Sequence, residues 1–489
     1  MIKTNTILQG LRLTTAAVAL AIITSSTGFA QNTGAVETKQ YDDGGIYEGT
    51  FLDGKQHGTG TYRLPSGYEY SGEWVNGEIR GQGEAKFPDG STYTGSFLKG
   101  KPEGFGNIEF ADGGSYEGVL GCTGLSTGNG IQLYANSVQY EGGFRYALHH
   151  GVGTIKSPNG YIYEGEWLNG VKEGDAKITY QDGSVYTGHV AHGVRDGNGT
   201  ITTTDGMIYV GGWKDSQRSG NGELTLPNGD IYVGGFLNGQ RHGTGRIDYI
   251  NGASYEGGFS NDKRHGQGTF KTTDGYSYVG SWVNGKIEGT GEVTFPDGSV
   301  YTGQFKDNLS DGIGKTIYAD GSSYEGEWVA GVPEGKGVAH FVDGRVYEGA
   351  FVNAKFNGQG KITNPSGYAY EGGWQNGLRQ GVGTSTYKDG AVYTGGYVGN
   401  QREGQGEMVM ADGFKYSGGW KAGKFNGKGV ATYVNGDVYD GMFVDGKRQG
   451  QGTMRYTTGE ESSGNWANGA LATAPSVETT EQPVEGSSN

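Results

Sequence analysis

The stretch "YEGEWLNGVKEGDAKITYQDGSV", residues 163–185, decides the fold of this chain. Near-copies of its first half begin at Tyr324 ("YEGEWVAGVPEG") and at Tyr370 ("YEGGWQNGLRQG"). The leading tyrosine recurs at Tyr47, Tyr70, Tyr93 and Tyr116, then at Tyr140, and every 23 residues from there to Tyr439. The spacing slips once, by one residue, between Tyr116 and Tyr140. Eighteen full units result, followed by a partial one, "SSGNWANGA", from Ser462. A fixed period in this range marks a repeat array.

Within a unit the marked positions alternate. Gly165 stands two places after Tyr163, and an aromatic, Trp167, four places after it. All eight tryptophans occupy that aromatic column: Trp74, Trp167, Trp213, Trp282, Trp328, Trp374, Trp420 and Trp466. Only Leu120 and Val190 interrupt it. An Asn-Gly or Asp-Gly pair follows, then a Gly-x-Gly, then apolar residues at alternate places such as Ile178 and Tyr180, and a second turn. Alternation is the signature of a strand with one apolar face, and Asn-Gly and Asp-Gly are hairpin turns. The reading is all-β: an elongated, single-layer antiparallel meander of tandem β-hairpins, with no separate globular domain. Both glycines of the Gly-x-Gly are expected on the apolar face, where a bare Cα lets a ring lie over the backbone. Buried aromatic area of about 150–250 Å² per ring offsets the entropy that glycine loses.

Composition agrees. Of 489 residues 100 are glycine, and 33% are hydrophobic, too few for a thick core. Tyr 33, Phe 18 and Trp 8 are too many for a disordered chain. The formal net charge of −15 argues against nucleic acid as a partner. The single cysteine, Cys122, allows no internal disulfide.

The ends differ from the middle. Lys3 and Arg12 precede the apolar run "LTTAAVALAII", and "SSTGFA" places Gly28 and Ala30 at small-residue positions. Residues 1–30 read as a signal peptide cleaved near Ala30, which predicts an exported protein, periplasmic or secreted in a bacterium. Residues 31–46 read as a short polar leader, 47–470 as the array, and 471–489 as a disordered acidic tail.

The unit resembles the MORN repeat, whose pattern is close to YxGxWxxGxxxGxGxxxxxDGxx. The resemblance covers residues 47–470 and implies a non-enzymatic scaffold for binding or assembly, since catalysis in that family comes from appended domains. The fourth unit, "YEGVLGCTGLSTGNGIQLYANSVQ" from Tyr116, departs most.

No constellation for chemistry stands out. "GIGKT" at 312–316 has Leu309 where a phosphate loop needs glycine. His149 with His150 and His189 with His192 lack further ligands in phase. No catalytic residue, metal site or cofactor is assigned. The candidate interaction surface is a set of cations placed in the turns within units: Lys263, Arg264, His265, Arg379, Arg402, Lys447 and Arg448. The turns between units carry acids such as Asp182, Asp205 and Asp297. The leading expectation is a scaffold for protein partners or for a second copy, a homodimer included. Phospholipid at a membrane surface is the alternative, and a glycan or peptidoglycan strand along exposed aromatic rows is the third.

Overall fold

The computed structural model describes residues 34–472; the expected signal peptide and all of the tail beyond residue 472 lie outside these. The described residues form thirty-nine strands and no helix. They fall into two compact units, residues 34–158 with 168–170, and residues 159–167 with 171–472. Within each, the described strands pair antiparallel with their neighbours in sequence, so the fold is the predicted meander of hairpins.

One hairpin of the second unit explains the rest. The strand Ile231–Leu237 turns through Asn238 and Gly239 into the strand Gln240–Asp248. Both turn residues have positive φ, 50° and 82°, as a two-residue turn matched to strand twist requires. The return to the next unit is a three-residue loop closed by Tyr249 N–H to the Ala253 carbonyl at 2.9 Å. Asn251 Oδ1 accepts from the Ala253 amide at 3.0 Å and holds that loop from inside.

The register of the hairpin contains a bulge. Gly234 lies opposite Gly245 and Phe236 opposite Arg241, so three residues of one strand face the single Gly235 of the other. The bulge separates the roles of the two glycines of Gly-x-Gly, which the alternation had placed together on the apolar face. Gly243 takes φ 76° inside the bulge and touches no ring. Gly245 is the one under the ring: a methyl group there would meet Tyr232 at 2.5 Å. Tyr232 therefore lies flat on Gly234 and Gly245 and is 1% exposed. Phe236 and Phe259 meet its ring edge-on at 5.2 and 5.1 Å. A single layer buries its aromatics this way without a second sheet above them.

In the first unit, β1 (Glu37–Gln40) pairs along its whole length with β2 (Ile46–Leu52), which pairs in turn with β3 (Lys55–Arg63). Part of the polar leader is thus a strand that covers the edge of the first repeat. The irregular fourth unit absorbs its extra residue in its hairpin turn, where Gly121 N–H bonds to the Leu125 carbonyl at 2.9 Å around an exposed Cys122. Leu120, in the aromatic column, remains buried. At the far end the pattern fails in sequence: Ser462 replaces the tyrosine, and Thr473 and Pro475 replace the two glycines.

Candidate interaction surface

The bulge turns one more residue toward the rings. It is the second residue of each second strand, directly opposite the aromatic column, as Arg241 is opposite Phe236. Directly paired residues share a face, so this position covers the tyrosine from above. Lys172, Arg195, Arg218, Arg241 and Arg264 fill it in five successive repeats, and Arg379, Arg402 and Arg448 fill it further on. The guanidinium of Arg195 sits 4.1 Å from the Trp213 ring, that of Arg402 4.3 Å from Trp420, and that of Arg448 4.5 Å from Trp466. Rings serve elsewhere: His149 stacks on Tyr140 at 3.6 Å, Phe356 on Tyr347 at 3.7 Å, and Phe425 on Tyr416 at 3.8 Å.

Every covering arginine but Arg264, whose side chain donates back to the Tyr249 hydroxyl, also clasps the next repeat. Arg218 Nη2 donates to the Gly239 carbonyl at 2.7 Å, while the Arg218 carbonyl accepts from Gly239 N–H at 2.9 Å. Arg402 does the same with Gly423, at 2.8 and 3.0 Å. Tryptophan reaches the other way: Trp282 Nε1 donates to the Gly268 carbonyl of the preceding repeat at 3.3 Å, and Trp420 to Gly406 at 3.1 Å. Burial pushes the Tyr232 hydroxyl up to about 12, against the pull of Arg241, so it stays a hydrogen-bond donor.

The seven candidate cations therefore separate. Arg264, Arg379, Arg402 and Arg448 stand in strands, half-buried over rings, with donors already engaged by Tyr249, Asn400, Gly423 and Gly469. Lys263, His265 and Lys447 are exposed beside them. The covering row was missed in the sequence because these arginines were read as turn residues; the signal was their 23-residue spacing, two places before a Gly-x-Gly. All eight tryptophans are buried, none more than 8% exposed, so the aromatic column is closed; open rings such as Phe110, Phe295 and Tyr318 stand at the loops between repeats.

The opposite face is polar. A shallow groove of about 1060 Å³ there is lined by Glu325, Lys336, His340, Glu348, Lys361 and Glu371 among others. Exposed ion pairs cross it, Lys361 with Glu371 at 3.5 Å, and Lys315 with Glu325 at 3.1 Å. Among the described residues no group of three or more His, Cys, Asp or Glu is placed to hold a metal ion, and no helix is long and apolar enough to cross a membrane.

This geometry is that of a repeat scaffold, with ring, glycine and turn performing the same task in every hairpin. The MORN-repeat family model matches seventeen segments, the first at residues 47–67 and the last at 439–461, and the chain belongs to the MORN-repeat family. The irregular fourth unit falls between matched segments, 93–115 and 140–160. No curated protein matches the chain. Among solved structures, the chain is similar to the TCP domain of Drosophila melanogaster SAS-4 in complex with a proline-rich motif of Ana2, at 14% identity, covering 36% of this chain and 89% of that one, with a TM-score of 0.22. The TCP10 domain of Danio rerio CPAP in its E1021V form is similar at 12% identity, covering 48% and 94%, with a TM-score of 0.16. Virginiamycin B lyase from Staphylococcus aureus is similar at 15% identity, covering 61% and 96%, with a TM-score of 0.11. Scores this low assign nothing further to this chain.

Proposed function

We propose that the chain is an exported, non-enzymatic scaffold that binds protein partners, a second copy of itself included, in the cell envelope. One observation carries the reading: the chemistry of each repeat is spent on its neighbours. The hydroxyls of the tyrosine column, the tryptophan N–H groups and the covering arginines are bonded within the array. What remains accessible is a repeated polar face of mixed charge, suited to many weak contacts along a partner.

The basic first segment and the small residues at Gly28 and Ala30 support export. N-terminal sequencing of the mature protein should begin at Gln31. Cross-linking of the tagged mature chain in its own envelope, followed by mass spectrometry, should recover defined protein partners or the chain itself. Phospholipid is the second reading, motivated by Lys263, His265 and Lys447, which are exposed. The net charge of −15 opposes it. Strong, salt-sensitive flotation on anionic vesicles, abolished by Lys263→Gln with Lys447→Gln, would replace the scaffold reading with the lipid one.

A further inference from the structure

Arginine, lysine or a ring does not fill the covering row in every repeat: Gln56, Ile79, Pro102 and Ile287 stand in it too, and Ser310 and Pro333 put two short residues in successive repeats. Ala339 is also short, in a column filled by Ile247, Phe270 or Met454 in other repeats. Above Tyr324 the two truncations leave a cleft of about 310 Å³, lined by Tyr318, Phe341, Phe351, Ala354 and Phe356 among others.

The lining is that of an arginine site from which the arginine is missing. Arg264 packs over the Tyr255 ring at 4.8 Å and the Trp282 ring at 4.8 Å, and donates to the Tyr249 hydroxyl at 2.6 Å. Counted from Pro333, the residues at those same offsets are Tyr324, Phe351 and Tyr318. Arg218 and Arg402 donate to the carbonyls of Gly239 and Gly423, and the residue at that offset from Pro333 is Ala354. Ala354 N–H already bonds to the Pro333 carbonyl at 3.0 Å, the backbone half of the same clasp. Lys355 on the rim is no obstacle, because Lys263 stands in the same relation to Arg241. Glu327 and Glu334 act on Tyr324 electrostatically and add negative potential.

We propose that the cleft above Tyr324 is a receptor for a guanidinium group, an arginine side chain presented by a protein partner. The inference rests on the scaffold reading and names the chemistry by which a partner docks. The incoming guanidinium stacks among Tyr318, Phe341 and Phe356 at the mouth above the buried Tyr324 and Phe351, and donates to the Tyr318 hydroxyl and the Ala354 carbonyl. Arginine is favoured over lysine because a planar fork both stacks and donates in two directions.

The test uses the full chain and three probes, N-acetyl-arginine amide and its lysine and citrulline counterparts, in ligand-observed saturation-transfer NMR. The arginine probe should bind, with the other two weaker by about tenfold, the worth of one charge-assisted hydrogen bond. Pro333→Arg should fold, since arginine occupies this position in other repeats, and should abolish probe binding by filling the cleft from within. Tyr318→Phe should weaken it. Equal binding of lysine, retention of binding by Pro333→Arg, or no transfer to the arginine probe would each overturn the proposal. Partner recovery from the envelope separates the two readings. If it persists with Pro333→Arg, the scaffold stands and the guanidinium receptor falls; probe binding without any protein partner leaves the receptor and removes the scaffold.

Discussion

The hydroxyl of Tyr232 donates to the carbonyl of Gly235, three residues along its own strand, at 2.8 Å. Gly235 is the residue facing the bulge, where the ladder leaves its carbonyl without a cross-strand partner in register. The same bond recurs from Tyr47 to Thr50, from Tyr324 to Glu327 and from Tyr439 to Met442. The tyrosine is thus both the filling of the apolar face and the satisfaction of the bulge. That explains why phenylalanine never replaces it among the eighteen column positions, although Phe serves freely in the aromatic column.

Tyr232→Phe should therefore destabilise more than the loss of one oxygen suggests. It leaves a half-buried carbonyl unpaired, at about 1–3 kcal/mol. Hydrogen exchange should show faster exchange in the strands 231–237 and 240–248 and no change several repeats away, because stability in such arrays is local. Uniform loosening of the whole chain would contradict this.

The two glycines of the Gly-x-Gly should respond differently to substitution. Gly243→Ala meets no atom within 4 Å and carries only the cost of φ 76°, about 1–2 kcal/mol. Gly245→Ala should cost more, since its added methyl would lie 2.5 Å from the Tyr232 ring. Chemical denaturation of the two variants side by side reads the difference.

His149 should make the first unit sensitive to acid. Burial against Tyr140 holds its pKa down to about 4, below the ordinary value near 6.5. Between those values the unfolded chain binds the proton and the folded chain does not. Stability is then fully present above about pH 6.5 and is lost as pH falls toward 4. His149→Phe, which imitates Phe356 and Phe425, should flatten the unfolding midpoint across that window. An unchanged slope would mean that the acid sensitivity lies elsewhere.

Arg402→Met should keep the packing over Trp420 and lose the bond to Gly423. The expected cost is about 0.5–1.5 kcal/mol, with Arg402→Ala costing more. Comparable losses for both variants would mean that the clasp, and not the stacking, dominates.

The fold was legible because its determinants are periodic. Tyrosine, glycine, aromatic and turn repeat at fixed places, and alternation assigns each to a face. The covering row was not legible for a specific reason. Arg241 follows closely on the Asn238-Gly239 turn, and the strict alternation makes no allowance for the bulge at Gly243 that aligns it with Phe236. The strand Glu37–Gln40 was missed as well, because "ETKQ" has no apolar alternation and is held by the edge of β2 alone. The cleft above Tyr324 has no mark in the sequence, because proline and alanine at these places recur singly in other repeats, as Pro102 and Ala85, and only the coincidence of Pro333 with Ala339 in one repeat opens the space.

The bonds that bind one repeat to the next, Arg218 forward to Gly239 and Trp420 back to Gly406, join positions that every repeat possesses. Within the second unit an in-frame loss or gain of 23 residues therefore brings together two seams that already match. Copy number is free to drift by whole repeats, each step changing the reach of the array and the number of polar contacts it offers without requiring any new interface. A change of any other length is not neutral in this sense. It parts a ring from its glycines and its cover, unless, as at Cys122, the surplus is expelled into a turn.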